Sequence, residues 1–249
     1  MDNLLWVAMS GAKENFHSIA VRSNNLANAS TTGFKADFEN SRYMSVFADA
    51  YPTRAFAMTE RPGHNFDGGA IETTDRDLDV AVLGDSFLAV NDKEGNEAYT
   101  RFGSFEIDNE GYLKTSNGLN VLSEDGEAIK LPPMLADINI SRDGTISGRP
   151  QGADSNVIEE FARIKLVTPD DFKAIEKGYD GLFRRIDGSA IEQDINAQVK
   201  SGMLEASNVN PVEELTNLIR LQRQYETQVK MMEQAGQMDD RQNQLLSYD

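Results

Sequence analysis

From Leu5 the apolar positions recur at alternating steps of four and three: Leu5, Met9, Ala12, Phe16, Ile19, then Ser23 and Leu26. This heptad stripe predicts an amphipathic helix over residues 3–28, about 40 Å long. Leu4, Val7, Ala8 and Ala20 widen the stripe, so the helix has more than one adhesive face. A second stripe closes the chain. Asn208 or Asn210 supplies an N-cap, Pro211 suits a first helical turn, and Glu213 and Glu214 put negative charge at the positive end of the helix dipole. Leu215, Leu218, Gln222, Tyr225, Val229 and Met232 then follow at three- and four-residue steps.

Between these ends the period shortens. Residues 78–83, 87–90, 99–107, 112–115, 119–122, 128–131, 137–141 and 161–167 are short β-rich segments, parted by DKEGN, DNEG, Asn117-Gly118, EDG and RDG. Turn signals at this spacing indicate antiparallel hairpins in a small sandwich or barrel. Residues 37–77, with Pro52, Pro62 and Gly68-Gly69, and residues 170–205 read as extended connectors. The expected class is α+β. A discontinuous, coiled-coil-like pair of terminal helices (1–36 with 206–249) flanks a central, mainly antiparallel β domain (78–169). Two helices alone bury little, so Leu4, Val7 and Ala20 on the first and Val212, Ile219 and Leu221 on the second need partners from other chains.

Charge and chemistry narrow the picture. The 249 residues carry 41 acids against 24 bases, a net charge of -17 that repels phosphate backbones and anionic lipid, so nucleic-acid binding is excluded as an expectation. There is no cysteine for a disulfide, thiolate site or nucleophile. The first 20 residues hold Asp2, Lys13, Glu14 and His17 where a cleavable signal needs a continuous apolar core, and no window suits membrane insertion. Gly84-Asp85-Ser86-Phe87 has the look of a serine hydrolase block, but His17 and His64 fit neither the order nor the spacing of its base. Asp75-Arg76-Asp77-Leu78-Asp79 alternates carboxylates like a calcium loop, yet lacks glycine at the sixth position and glutamate at the twelfth. No catalytic, cofactor-binding or metal site is expected.

The stretch SNNLANASTTGFKA (23–36) follows the first helix directly. It closely resembles the signature of the flagellar rod and hook proteins, an Asn-Asn-Leu-Ala-Asn block followed by Thr-x-Gly-Phe/Tyr-Lys. GMLEASNVNPVEELTNLIRLQRQYETQVKMM (202–232) is similar to that family's other block, Ser-Asn-Val-Asn opening the last helix with Arg-x-Tyr/Phe-Glu inside it. LDVAVLGDSFLAV and YTRFGSFEIDNEGYLKTSNGLNVL resemble its β domain, in which glycine usually stands where this chain has Ser86. YDGLFR (179–184), the Asn-Pro after Ser-Asn-Val and the QLLS ending look more like the proximal than the distal rod member; a hook-type axial protein is the other alternative.

The resemblance implies a structural subunit, not an enzyme. Such subunits are exported without a cleaved signal peptide through the flagellar export apparatus and assemble helically, with copies of themselves and with other proximal and distal rod proteins, into a drive shaft crossing the periplasm. The expected subunit interface comprises the stripe residues Leu5, Met9, Ala12, Phe16, Ile19, Leu26, Leu215, Leu218, Gln222, Tyr225, Val229 and Met232. Corner residues Asn24, Asn25, Asn28, Gly33, Phe34, Asn208 and Asn210 complete it. In the corner, the asparagine amides would bond helix-end carbonyls or neighbouring backbones, Gly33 would permit a left-handed turn, and Phe34 would anchor the exit.

Overall fold

The computed structural model describes residues 2–48, 51–59, 63–132, 135–150 and 158–246. Pro62, Ser247 and the side chains of Leu4, Leu245 and Leu246 lie outside the described set. The chain divides into two compact units: Met1–Ala29, Ala36–Asn65 and Val209–Asp249 form one, Ser30–Lys35 and Phe66–Asn208 the other.

In the first unit, helix α1 (Asp2–Ala27) lies antiparallel against helix α2 (Pro211–Leu246). Asn15 bonds Gln228 toward one end of the pair, and Arg22 bonds Glu214 toward the other. Asn210 is the N-cap of α2: its Oδ1 accepts the N–H groups of Val212 and Glu213, ahead of Pro211 in the first turn. The fold class is α+β, with paired terminal helices and a central antiparallel β region.

Two expectations fail in the connectors. Residues 37–77 carry a long hairpin, Ser41–Ala48 antiparallel to Tyr51–Thr59, packed against α1 in the same unit. Its alternation is hard to see because apolar residues fall on both faces, with Met44 and Phe56 on one, Tyr43 and Ala57 on the other. Pro52 is tolerated near the strand start, beside a register shift between Val46 and Phe47. Residues 170–205 are likewise strands rather than connector. Ile175–Lys177 and Phe183–Arg185 complete a five-stranded antiparallel sheet in the order Leu166–Val167, Phe87–Asn91, Glu97–Thr100, Phe183–Arg185, Ile175–Lys177. Val199–Ser201 pairs with Val80–Val82, and Met203–Glu205 with Ile71–Thr73. At three residues each, these strands are too short to show a period.

Elsewhere in the β unit, Phe105–Ile107 pairs with Leu113–Thr115, and Leu135–Ile140, Thr145–Pro150 and Glu159–Arg163 form a three-stranded sheet. The expected strand 99–107 breaks at Arg101–Ser104, and segments 119–122 and 128–131 contribute single bridges, not strands. Three apolar clusters fill the unit. One gathers Val80, Leu88, Phe105, Leu113, Ile146 and Ile164; a second gathers Phe87, Tyr99, Val167 and Phe183, with Phe66 and Phe172 packed against it; a small third gathers Val90, Ala98 and Leu182.

The helical unit contrasts sharply. Among its described residues, the buried hydrophobic side chains are Ala8, Ala12, Val209 and Ala235. Stability therefore resides in the β unit. Phe105→Ala should cost about 3–5 kcal/mol in urea unfolding, whereas Phe16→Ala, at a side chain 65% exposed, should shift the same transition by less than about 0.5 kcal/mol.

Candidate assembly surface

The face of α1 that meets α2 is narrow and built of small or polar residues. Ala8 and Ala12 are buried, and a Cβ added to Gly11 would sit 2.6 Å from the side-chain amide nitrogen of Gln228. Asn15 donates to Gln228 Oε1 at 3.0 Å, and Arg22 donates to Glu214 Oε1 at 2.8 Å. On α2, Glu214 and Ala235 are buried on the facing side.

The stripe read from the sequence splits as a result. Ala12, Ile19 and Leu26 are buried or half-buried, while Leu5, Met9 and Phe16 stay exposed, joined by Trp6, which the stripe had not singled out. On α2, Leu218, Val229 and Met232 are half-buried, whereas Leu215, Gln222 and Tyr225 are exposed, as are Val212 and Ile219. A heptad rule finds the widest apolar stripe. It cannot tell which flank of that stripe the chain fills itself, because small residues allow the closest helix approach yet add least to the pattern.

At the corner the roles diverge. Asn28 donates its side-chain amide to the Asn24 carbonyl at 2.9 Å, covering an open helix-end group, and Asn24 is exposed. Asn25 is wholly buried: its Nδ2 donates to the Asp37 carbonyl at 2.7 Å, its Oδ1 accepts the Asp37 N–H at 2.9 Å, and Nδ2 also reaches Glu214 Oε1 at 3.4 Å. As the side chain stands, it ties this chain to itself and offers nothing to a neighbour. Gly33 is also internal. It adopts φ +66°, and a Cβ there would lie 2.5 Å from the Arg101 carbonyl, while its N–H donates to the Glu205 carbonyl at 2.7 Å. Phe34 carries the Lys177 ammonium 3.7 Å above its ring, and Asn208 donates its backbone N–H to the Phe34 carbonyl and its side chain to Asp67.

Sequence reasoning passed over the cluster that holds this corner in the β unit. Glu205 accepts from Lys35 Nζ at 2.7 Å, from an Arg101 guanidinium nitrogen at 2.9 Å and from the Gly69 N–H at 2.8 Å, with all three charged side chains at most 3% exposed. Lys35 also donates to the Asp67 carbonyl at 2.7 Å, and Arg101 to the Gly84 carbonyl at 2.5 Å. Lys35 stands inside the quoted motif, but its acid lies 170 positions away. Only the fold could reveal the pair.

Neither chemical motif becomes a site. Thr168 donates to Asp194 at 2.7 Å, so its oxygen accepts the proton of buried Ser86 at 2.8 Å, which commits that hydroxyl to the interior. Asp79 is buried against Ser104 and Arg76, and among the described residues no group of acids or histidines is arranged to hold a metal ion.

Three family profiles match the chain: one described as flagella basal body rod protein at residues 5–35, one as the D1 domain of the flagellar hook proteins FlgE/F/G at 81–148, and one as the C-terminal part of the flagellar basal body rod FlgEFG proteins at 200–245. The flagellar basal-body rod protein FlgF of Escherichia coli is 37% identical over 99% of both chains, and that of Salmonella typhimurium 35% over the same share. A flagellar basal-body rod protein FlgG, from Buchnera aphidicola, is 33% identical over 97% of this chain and 98% of its own.

Two outcomes follow from the corner. Asn25→Ala should cost about 1–3 kcal/mol and speed exchange of the Asp37 amide, while Asn28→Ala, at a partly solvated carbonyl, should leave that amide protected; native-state hydrogen exchange reads both. Burial pushes Glu205 upward, but the Lys35 hydrogen bond, the Arg101 charge and the Gly69 N–H prevail and hold it below the usual carboxylate range. A carboxylate depressed in the folded state gives stability that is fully present above its unfolded pKa and is lost as pH falls through the folded value. Chemical unfolding of the β unit should therefore be easier below about pH 4, and Glu205→Gln should flatten that dependence while lowering stability at neutral pH.

Proposed function

The chain belongs to the flagellar basal-body rod protein family, and we propose that it transmits torque as a subunit of the proximal rod, joined to its neighbours through α1 and α2. It is a structural protein of the flagellar basal body, not an enzyme. The observation that carries the torque-bearing role is the open apolar surface of the helical unit. Leu5, Trp6, Met9 and Phe16 on α1, and Val212, Leu215 and Ile219 on α2, are all exposed, while that unit buries little beyond alanines.

Covering the exposed half of such a side chain contributes on the order of 1 kcal/mol. Seven of them on two helices form a surface that monomeric proteins rarely leave to water. The proximal assignment is supported by the similarity to FlgF proteins over nearly the whole chain, and by YDGLFR at 179–184. In this reading the partners are copies of the chain and the other proximal and distal rod proteins. The molecule leaves the cytoplasm through the flagellar export apparatus and takes its place in the rod as it crosses the periplasm.

Leu5→Asp, Phe16→Asp or Leu215→Asp should abolish rod growth, read as loss of spreading in soft agar and absence of the chain from purified basal bodies. The urea midpoint of the β unit should stay at its wild-type value. Normal motility in all three variants would refute the assembly role.

A further inference from the structure

Three turns that stand out in the sequence, DKEGN, Asn117-Gly118 and YDGLFR, meet inside the β unit. Residues from segments 92–97, 117–119, 180–185 and 188–190 line an open cavity of about 870 Å³. Small-molecule sites typically span roughly 300–1,000 Å³, with a mostly apolar lining and a few placed polar groups. Here Leu119 and Leu182 give the cavity an apolar floor, backed by Val90 and Ala98.

The charged side chains around this floor are already paired. Arg184 donates to Asp92 at 2.9 Å and to the two oxygens of Asp180 at 2.6 and 3.1 Å. Glu97 accepts from Lys165 Nζ at 2.8 and 2.9 Å and from the Tyr99 hydroxyl at 2.9 Å, and Arg185 lies 3.4 Å from Asp187. Lys93 and Glu94 are adjacent on an exposed turn and cancel. The Arg184 hydrogen bond holds Asp180 below the usual carboxylate range, so this clamp stays ionised at neutral pH. An entering anion would have to displace a carboxylate from Arg184, and an entering cation would have to displace Arg184 from two carboxylates. Each exchange breaks as much as it makes. The groups left open are neutral. Asn117 and Asn96 are exposed amides, the latter only loosely held by Glu94 at 3.5 Å, and the Ser189 hydroxyl, which donates to Asp187, keeps its acceptor lone pairs.

We propose that this cavity binds a neutral saccharide chain. A pyranose ring presents apolar C–H faces together with hydroxyls that donate and accept without carrying charge. The leucine floor matches the first, and the amides and the clamped carboxylates match the second. Asp92 and Asp180 are fixed by Arg184 yet keep lone pairs for hydroxyl donors. Tyr179 is fully exposed on the turn that carries Asp180, and its ring offers an aromatic face to a further sugar. The site lies wholly within the β unit and stands independently of the assembly role proposed above.

Amide NMR of the full-length chain, titrated with maltotriose and with tri-N-acetylchitotriose, tests this. At least one of the two should shift the amides of Asn96, Leu119 and Ser189 and approach saturation by about 20 mM. Asn96→Ala combined with Asn117→Ala should raise Kd about tenfold. Ala190→Trp, at an exposed residue of the lining, fills the cavity without changing a hydrogen-bonding side chain and should do at least as much. No shift with either sugar, or an unchanged Kd in Ala190→Trp, would overturn the proposal. So would inorganic phosphate or tetralysine acting on the same amides at about a tenth of the sugar concentration. Co-sedimentation with insoluble cell-wall glycan then separates the sources. Sedimentation that the trisaccharide suppresses identifies a wall strand as the ligand, and sugar binding without sedimentation identifies a free oligosaccharide; both uphold the saccharide site.

Discussion

Glu205 is the tie on which this architecture depends. Five residues ahead of the α2 cap, its carboxylate receives Lys35 from the segment that has just left α1, together with Arg101 and the Gly69 amide from the β unit. The backbones of the departing and returning segments are bonded as well, Gly33 to Glu205 and Asn208 to Phe34. A chain that begins and ends in helices can pair them only if its exit and return coincide. A buried three-way ionic cluster enforces that coincidence at a cost. Each charge is taken out of water, and the loss is offset only while all the partners are present. Replacing one member strands the others, so the cluster acts as a specific lock more than as a source of stability.

With the ends brought together, the two helices meet over a face that is almost all small or hydrogen-bonding. Gly11, Ala8 and Ala12 allow a close approach, and Asn15, Arg22 and Asn25 fix position. This division has a physical logic. Had Leu5, Met9 and Phe16 turned inward, the helix pair would be well packed and inert. With its smallest residues at the internal contact, the chain leaves its largest apolar ones exposed, where covering them would be favourable. The β unit has its own apolar clusters, built without any residue of the open stripes.

How much of this was legible follows from the length of each signal. The helices were readable because their stripes run for many turns, and Asn210 and Pro211 mark the start of α2 in local chemistry. Gly33 was readable as a left-handed turn because only its own backbone had to be considered. The partners of Asn25 were not legible for the opposite reason: Asp37 and Glu214 lie 12 and 189 positions away, and a motif rich in amides says nothing of where they point. The three-residue strands of 170–205 and the cluster at Glu205 are likewise products of tertiary contact. No local period could have announced them. Ser86 illustrates a false signal, since a Gly-Asp-Ser block is defined by what its hydroxyl faces, and here it faces Thr168.

The distribution of charge completes the logic. Of the net -17, only two negative charges belong to the helices: α1 has two acids and two bases, α2 six acids and four bases. The remaining excess sits elsewhere in the chain. Repulsion between copies therefore acts mainly through surfaces that do not carry the open stripes, and at physiological salt it fades over about 8 Å. Apolar burial acts only at contact and is indifferent to salt on that scale. Between two such chains repulsion therefore falls chiefly on the β units, and little charge on α1 and α2 opposes the burial of Phe16, Leu215 and their neighbours. Charge repulsion and open apolar surface thus fall on different parts of one sequence.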